Sequence, residues 1–301
     1  ATTFYLQDQK ARKWYAPYLQ KLDIPEWKLP PIMSSGTRIG NITNKSAQET
    51  GLPCGTPVFL GSFDHPSAAR GAGVLEEGQM LISCGTSWVG FFPVHDREKI
   101  MVQGMLADPF LMPDGPWGAM FSLPSIATDV DRYIRKYISD SPNRYREFDK
   151  LASLAKPGAR DVFINPLCKD ESDRLKRFAS MDIARALMEG TVYLLKMNVD
   201  KLAKTGINAL TATIAGGPSE THPWPKIICD ILGIPLLTVN GTYAGAVGAA
   251  IMAGIGTESF SDVQEAQKIL QTNNVLREPN KSRHEEYLKL YEKFKRSYLV
   301  D

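Results

Sequence analysis

The sequence is poor in cysteine. Four are scattered through 301 residues, at Cys54, Cys84, Cys168 and Cys229, and no two form a Cys-x-x-Cys pair. That spacing argues against a disulfide framework and a zinc site, and for reduced thiols in a cytoplasmic protein. Histidine is as sparse: His65, His95, His222 and His284 have no metal-ligand spacing. Charge of one sign is also lacking. The formal net charge is +2, with no dense Lys/Arg stripe, so nucleic acid and membrane surfaces are not expected partners. Near the end, Lys289, Lys293, Lys295 and Arg296 alternate with Glu285, Glu286 and Glu292, the pattern of a solvated helix face. No apolar run is long enough to span a bilayer, and the first residues lack the basic and apolar segments of a signal peptide. There is no internal repeat, no P-loop ending in Gly-Lys-Ser/Thr and no Rossmann spacing, and Ser67 and Ser219 lack a nucleophile-elbow context.

What is present is an ordinary globular composition, 43% apolar and 23% charged, enough to build a core in one large domain or two smaller ones. The spacing of Trp14, Tyr18 and Leu22 predicts a helix over 8–22, kinked at Pro17. A short helix is expected from Thr43, its cap, to a stop at Gly51. Thr56 to Gly61 reads as a buried strand, and Gln79 to Val94 as two strands joined at Gly85-Thr86-Ser87. Downstream, helices and strands alternate. A helix is expected over 126–138, and a long one capped by Asp182 and stopped by Gly206. Strands at 210–215 and 234–239 flank a helix with Pro225 in its first turn, and a small-residue helix covers 244–254. Tyr287, Tyr291, Phe294 and Tyr298 stand at helical spacing as a core stripe. The class is α/β with a mixed sheet, divided near 75/76.

Three places could carry chemistry. Asp64 follows a buried strand among small residues, where a loop can present a carboxylate to accept a proton from a hydroxyl; it could equally cap the helix that starts at Pro66. The Gly85-Thr86-Ser87 turn can bring backbone N–H groups and a hydroxyl to a phosphate, or be a plain hairpin turn. The turn at Ala215-Gly216-Gly217-Pro218-Ser219 sits between a strand and a helix, the usual nucleotide position in an α/β protein, or is only a tight connection. His65 is a further substrate-contact candidate, against a local or surface role.

The order of these motifs resembles the FGGY family of carbohydrate kinases. The run from Gly51-Leu52 through Gly55-Thr56-Pro57-Val58, Gly61-Ser62-Phe63-Asp64 and the small residues to Gly71-Ala72-Gly73 matches the family's pattern. So do Gly85-Thr86-Ser87, the strand ending in Gly216-Gly217, the helix bearing Asp230 and Leu232-Gly233, and Gly248-Ala249-Ala250. The resemblance implies an actin-like, ribonuclease H-like fold of two domains and a cleft. Residues 1–75 would end the amino-terminal sugar-binding domain, and 76–301 would form the carboxyl-terminal ATP-binding domain. It implies ATP and Mg2+ as cofactors, a pentulose, hexulose or related polyol as substrate, Asp64 as general base, Gly85 and Thr86 against phosphate, and Gly216, Gly217 and Pro218 against the adenosine.

Two departures stand out. The segment Pro218 to Trp224 runs about one residue longer than the family's, and the proline-containing loop at 163–173 lacks the usual Gly-Glu-Arg. Family members are also considerably longer, with an early Asp-x-Gly-Thr phosphate loop that residues 1–60 do not contain. The expectation is the carboxyl-terminal portion of a longer kinase. The competing one is a nucleotide-binding, non-catalytic module that needs a separate amino-terminal half. The identity of the sugar and a homo-oligomeric state are left open.

Overall fold

The computed structural model describes residues 6–111, 115–168, 172–239, 243–270 and 274–298. It opens with an antiparallel ribbon of β1 (Gln7–Asp8) and β2 (Lys13–Trp14), then the short helix α1 (Ala16–Lys21). The helix expected over 8–22 is thus confined to its last part. Asp8 Oδ1 accepts from the Ala11 amide at 2.9 Å and closes a turn instead. Pro17 stands in the first turn of α1, where its missing N–H is harmless, and of the expected stripe Trp14 is buried while Tyr18 and Leu22 are exposed.

The strand β3 (Arg38–Asn41) pairs antiparallel with β4 (Pro57–Phe59) around α2 (Asn44–Thr50). As the sequence suggests, Thr43 caps α2 by accepting from Ser46 N at 3.2 Å, and Gly51 ends it. Next come α3 (Asp64–Gly71), β5 (Gln79–Cys84), β6 (Trp88–Val94), α4 (Arg97–Val102), β7 (Leu106–Pro109) and β8 (Trp117–Leu123). The helices α5 (Ile126–Tyr137), α6 (Arg144–Leu154), α7 (Ser172–Leu175) and α8 (Ser180–Ala203) lead to β9 (Thr211–Gly216). The chain continues through α9 (Pro223–Leu232), β10 (Leu236–Thr238), α10 (Ala244–Gly256), α11 (Val263–Leu270), β11 (Val275–Arg277) and α12 (Lys281–Tyr298). The cap of α8 is Ala179; Asp182 lies inside its first turn, where a carboxylate still meets the positive end of the helix. Of the loop at 163–173, residues 169–171 lie outside the described residues.

The chain packs into two units. One combines Ala1–Glu76 with Pro93–Ala119 and Tyr243–Thr272, and the other Glu77–Phe92 with Met120–Thr242 and Asn273–Asp301. Two segments beyond the expected 75/76 division therefore pack with the first unit.

In the first unit α3 lies directly on α10. A Cβ on Gly71 would fall 1.9 Å from the Ala244 carbonyl oxygen, and one on Gly248 would fall 1.8 Å from that of Ser67. The small residues of both helices exist for this backbone-to-backbone approach. In the second unit the sheet is mixed, as expected. Its strands stand in the order β11-β10-β9-β5-β6. β9 runs parallel to both β5 and β10, while β5–β6 and β10–β11 are antiparallel. Helix α8 is buried from Asp182 through Leu195. Against it α12 sets Tyr287, Tyr291 and Phe294, whose rings lie 5.1–6.5 Å from that of Tyr193. Glu189 of α8 is buried there with Arg185 at 2.6 Å, the Tyr287 hydroxyl at 2.9 Å and the Gly158 amide at 3.1 Å, so the charge is fully partnered.

Candidate functional site

Six consecutive register pairs join β5 and β9, from Gln79↔Thr211 to Cys84↔Gly216. Because the strands are parallel, both end at the same edge of the sheet. The turn that starts at Gly85 and the turn that starts at Gly216 are therefore neighbours. Gly216 has φ +102 and ψ −178, a region closed to side chains, and a Cβ there would sit 2.3 Å from the Cys84 carbonyl oxygen. Gly217 is exposed, with open space where its side chain would be. Pro218 and Ser219 continue the turn, and Ser219 Oγ donates to the Gly216 carbonyl at 2.7 Å.

The first turn is held from its own side. The Gly85 amide donates to the Ser87 carbonyl at 3.1 Å, the Thr86 carbonyl accepts from Ala127 N at 3.1 Å, and Ser87 Oγ accepts from Ser125 N at 3.3 Å. Gly85 and Thr86 are exposed, and the Thr86 hydroxyl has no partner among the described residues. It is free to donate to a ligand oxygen.

Asp64 and His65 belong to the first unit. Asp64 is the first residue of α3; the cap position is Phe63, and no side chain caps there. The capping role that competes for Asp64 on sequence is thus not the one it has. One carboxylate oxygen accepts from the His65 amide at 2.9 Å, and the other has no partner among the described residues. His65 sits edge-on to Phe63, centroids 5.4 Å apart.

Below Asp64, Ser62 Oγ and Ser67 Oγ are 2.7 Å apart, and Arg70 Nη1 donates to Ser62 at 2.5 Å. Arg70 is only 1% exposed; its second terminal nitrogen donates to the Phe110 carbonyl and its Nε has no hydrogen-bond partner among the described residues. Burial lowers this guanidinium to about 10, which leaves it charged at neutral pH. Arg70 thus ties the loop before Asp64 to the strand end at Phe110. A lone arginine in a small-residue segment was the only sequence sign of it.

Sequence reasoning also missed what stands behind the Gly216 turn. Trp224 of α9 packs on Trp88, which follows the Gly85 turn, with centroids 5.1 Å apart, and on Phe148 of α6 at 6.2 Å. Next to Phe148 on α6 is the half-buried Asp149, and the nearby Thr221 hydroxyl donates to the Pro218 carbonyl at 3.4 Å. Partial burial raises the pKa of Asp149 to about 6.

Residues 1–71 match the amino-terminal domain, and residues 145–257 the carboxyl-terminal domain, of the FGGY family of carbohydrate kinases. The chain belongs to this family. FGGY relatives include the probable L-xylulose kinase of Haemophilus influenzae, 25% identical over 284 residues, covering 89% of this chain and 56% of that protein. Another is the autoinducer-2 kinase of Salmonella paratyphi B, 27% identical over 330 aligned positions, covering 99% and 60%. The xylulose kinase structure from Rhodospirillum rubrum superposes with a TM-score of 0.77 at 22% identity, covering 95% of this chain and 60% of that one. The fold is therefore that of the FGGY kinases, actin-like. The chain spans well under two thirds of the length of these relatives.

Proposed function

We propose that this FGGY chain carries the nucleotide site and the general base of an ATP-dependent kinase acting on a hydroxyl of a pentulose, hexulose or related polyol. The observation that carries the reading is the Cys84↔Gly216 register pair. It sets the Gly85-Thr86 turn beside the Gly216-Gly217-Pro218 turn on one sheet edge, which supports reading the first as the phosphate contact and the second as the adenosine contact. The names of the relatives, xylulose kinase and autoinducer-2 kinase, support a small polyhydroxylated acceptor. On this reading residues 1–75 end the sugar-binding domain.

In the reaction, the free oxygen of Asp64 accepts the proton of the sugar hydroxyl as its oxygen attacks the γ-phosphorus. The bond from that phosphorus to the β–γ bridging oxygen breaks, ADP leaves, and Asp64 returns its proton to solvent. Thr86 and the backbone of its turn donate to phosphate oxygens. Mg2+ would come with the triphosphate, held by its phosphates, by water and by one or two carboxylates. It would neutralise charge on the transferring group.

The test is ADP release by the purified chain over a panel of ketoses and polyols. Sugar-dependent release supports the reading, and its absence with every sugar, in a chain that binds ADP, counts against catalysis by this chain alone.

A second reading, a nucleotide-binding subunit completed by a separate amino-terminal half, rests on the surface of the first unit. Trp27 is 82% exposed, Ile39 and Leu52 are exposed, and α2 buries no residue, as expected of a surface made to be covered. Turnover that appears only when a polypeptide carrying that half is added would favour it.

A further inference from the structure

Arg70 is a charge in an unfavourable place. It lies in the last turn of α3 and is 1% exposed, yet no carboxylate pairs with it among the described residues. Its acceptors are two neutral oxygens, Ser62 Oγ at 2.5 Å and the Phe110 carbonyl. The guanidinium lies over the Phe110 ring at 5.3 Å, and its Nε has no hydrogen-bond partner among the described residues. A buried guanidinium without an anion is destabilising, and an apolar side chain of similar length would fill the space better. Departures of this kind gather at working sites. What the arginine holds is the approach to Asp64. Helical side chains lean toward the helix N-terminus, so Arg70 reaches back along α3 to Ser62, two residues before Asp64. Ser62 has one proton to give. With Arg70 donating to its oxygen, that proton goes to Ser67 Oγ at 2.7 Å rather than to the Phe63 carbonyl at 3.4 Å. Ser62 is thereby fixed to α3 through Ser67 and to the end of β7 through Arg70. The arginine is itself anchored, because its carbonyl accepts from the Gln267 side chain of α11. All of these residues lie in the first unit with Asp64.

We propose, on the general-base reading above, that Arg70 is a positioning residue for Asp64. It clamps the approach at residues 61–63, so that the carboxylate oxygen not taken by the His65 amide stays aimed at the hydroxyl it deprotonates. Arg70 is closed to solvent and touches neither sugar nor nucleotide. Its loss is therefore felt in turnover and not in binding.

The test is steady-state kinetics and ADP titration of the whole chain, with the urea midpoint of each protein. The proteins are the wild type, Asp64→Asn, Arg70→Met, Ser62→Ala and the double variant of Arg70 and Ser62. The acceptor is whichever ketose or polyol of the panel the wild type turns over fastest. Small displacements of a reacting group are costly in rate, so kcat should fall about ten- to a hundredfold in Arg70→Met and in Ser62→Ala, with the sugar KM and ADP affinity within about twofold of wild type. The urea midpoint of Arg70→Met should hold or rise, since the unpaired charge is gone. The double variant should be little slower than either single one, because both break the same link. A purely structural arginine would lower the midpoint and kcat together, and that result overturns the proposal. So does a folded Arg70→Met with kcat within about twofold of wild type, or effects on kcat that simply add. If Arg70→Met does not fold, Ser62→Ala decides alone by the same criterion. These outcomes leave the general base standing. It falls, and this inference with it, if Asp64→Asn turns over like the wild type or if the wild type turns over no sugar.

Discussion

Replacing Asp64 with asparagine keeps an acceptor for the His65 amide and removes the base. Sugar-dependent ADP release should then fall roughly a hundred- to ten-thousand-fold, while ADP affinity and the urea midpoint stay put, since the residue is exposed and at a helix start. Gly216→Ala should do the opposite. The added methyl meets the Cys84 carbonyl on a backbone with positive φ, so about 2 kcal/mol or more of stability is lost. ADP affinity, measured by titration, should fall with it. Both residues were legible from the sequence because each stands inside a patterned run of small residues. Asp149 and Arg70 were not. Asp149 is half-buried next to Phe148, on which Trp224 packs from far away in sequence, and on its own helix it reads as one more polar residue. Arg70 stands in a stretch read only as small residues, and its burial depends on Ser62 and Phe110 reaching it.

Among the elements, the closest tolerance is between α3 and α10. Gly248→Ala would place a methyl 1.8 Å from the Ser67 carbonyl oxygen, and the helices can accept it only by separating, at a cost of about 1–3 kcal/mol. Since α3 begins with Asp64, turnover should drop more than ADP affinity does. A comparison of kcat with the ADP dissociation constant checks this. Most elements could be read from periodicity and stop signals, as the Thr43 cap and Gly51 stop of α2 illustrate. The ribbon at residues 7–14 could not, because its apolar spacing fits a helix and the competing turn at Asp8 is a local hydrogen bond. The cap of α8 was misplaced by three residues because an acidic residue suits the first turn as well as the cap.

For the molecule as a whole, stability should carry the signature of Asp108, a carboxyl in the first unit that is 4% exposed. Burial raises its pKa to about 6. The folded state therefore holds this proton more tightly than the unfolded chain. The stabilisation is complete below about pH 4 and is lost as pH rises through about 6. Asp108→Asn should gain on the wild type by up to about 3 kcal/mol between these limits and pH 7, read as the difference in urea midpoints at each pH. The α/β class and mixed sheet were legible from alternating elements, and the family from motif order. The assignment of 93–119 and 243–272 to the first unit was not, since contacts between distant segments leave no local pattern. One consequence concerns length. The Gly85 and Gly216 turns are set side by side by the ladder from Gln79↔Thr211 to Cys84↔Gly216, with Trp88 packed on Trp224 behind them, not by the length of the chain that connects them. Insertions in the loops between Ser87 and Leu210 can accumulate without moving one turn against the other. A single-residue deletion inside β5 or β9 slips the ladder by about 3.3 Å and turns the strand's side chains to the opposite faces. Length variation should therefore be tolerated in the loops of this half of the gene and not in those two six-residue strands.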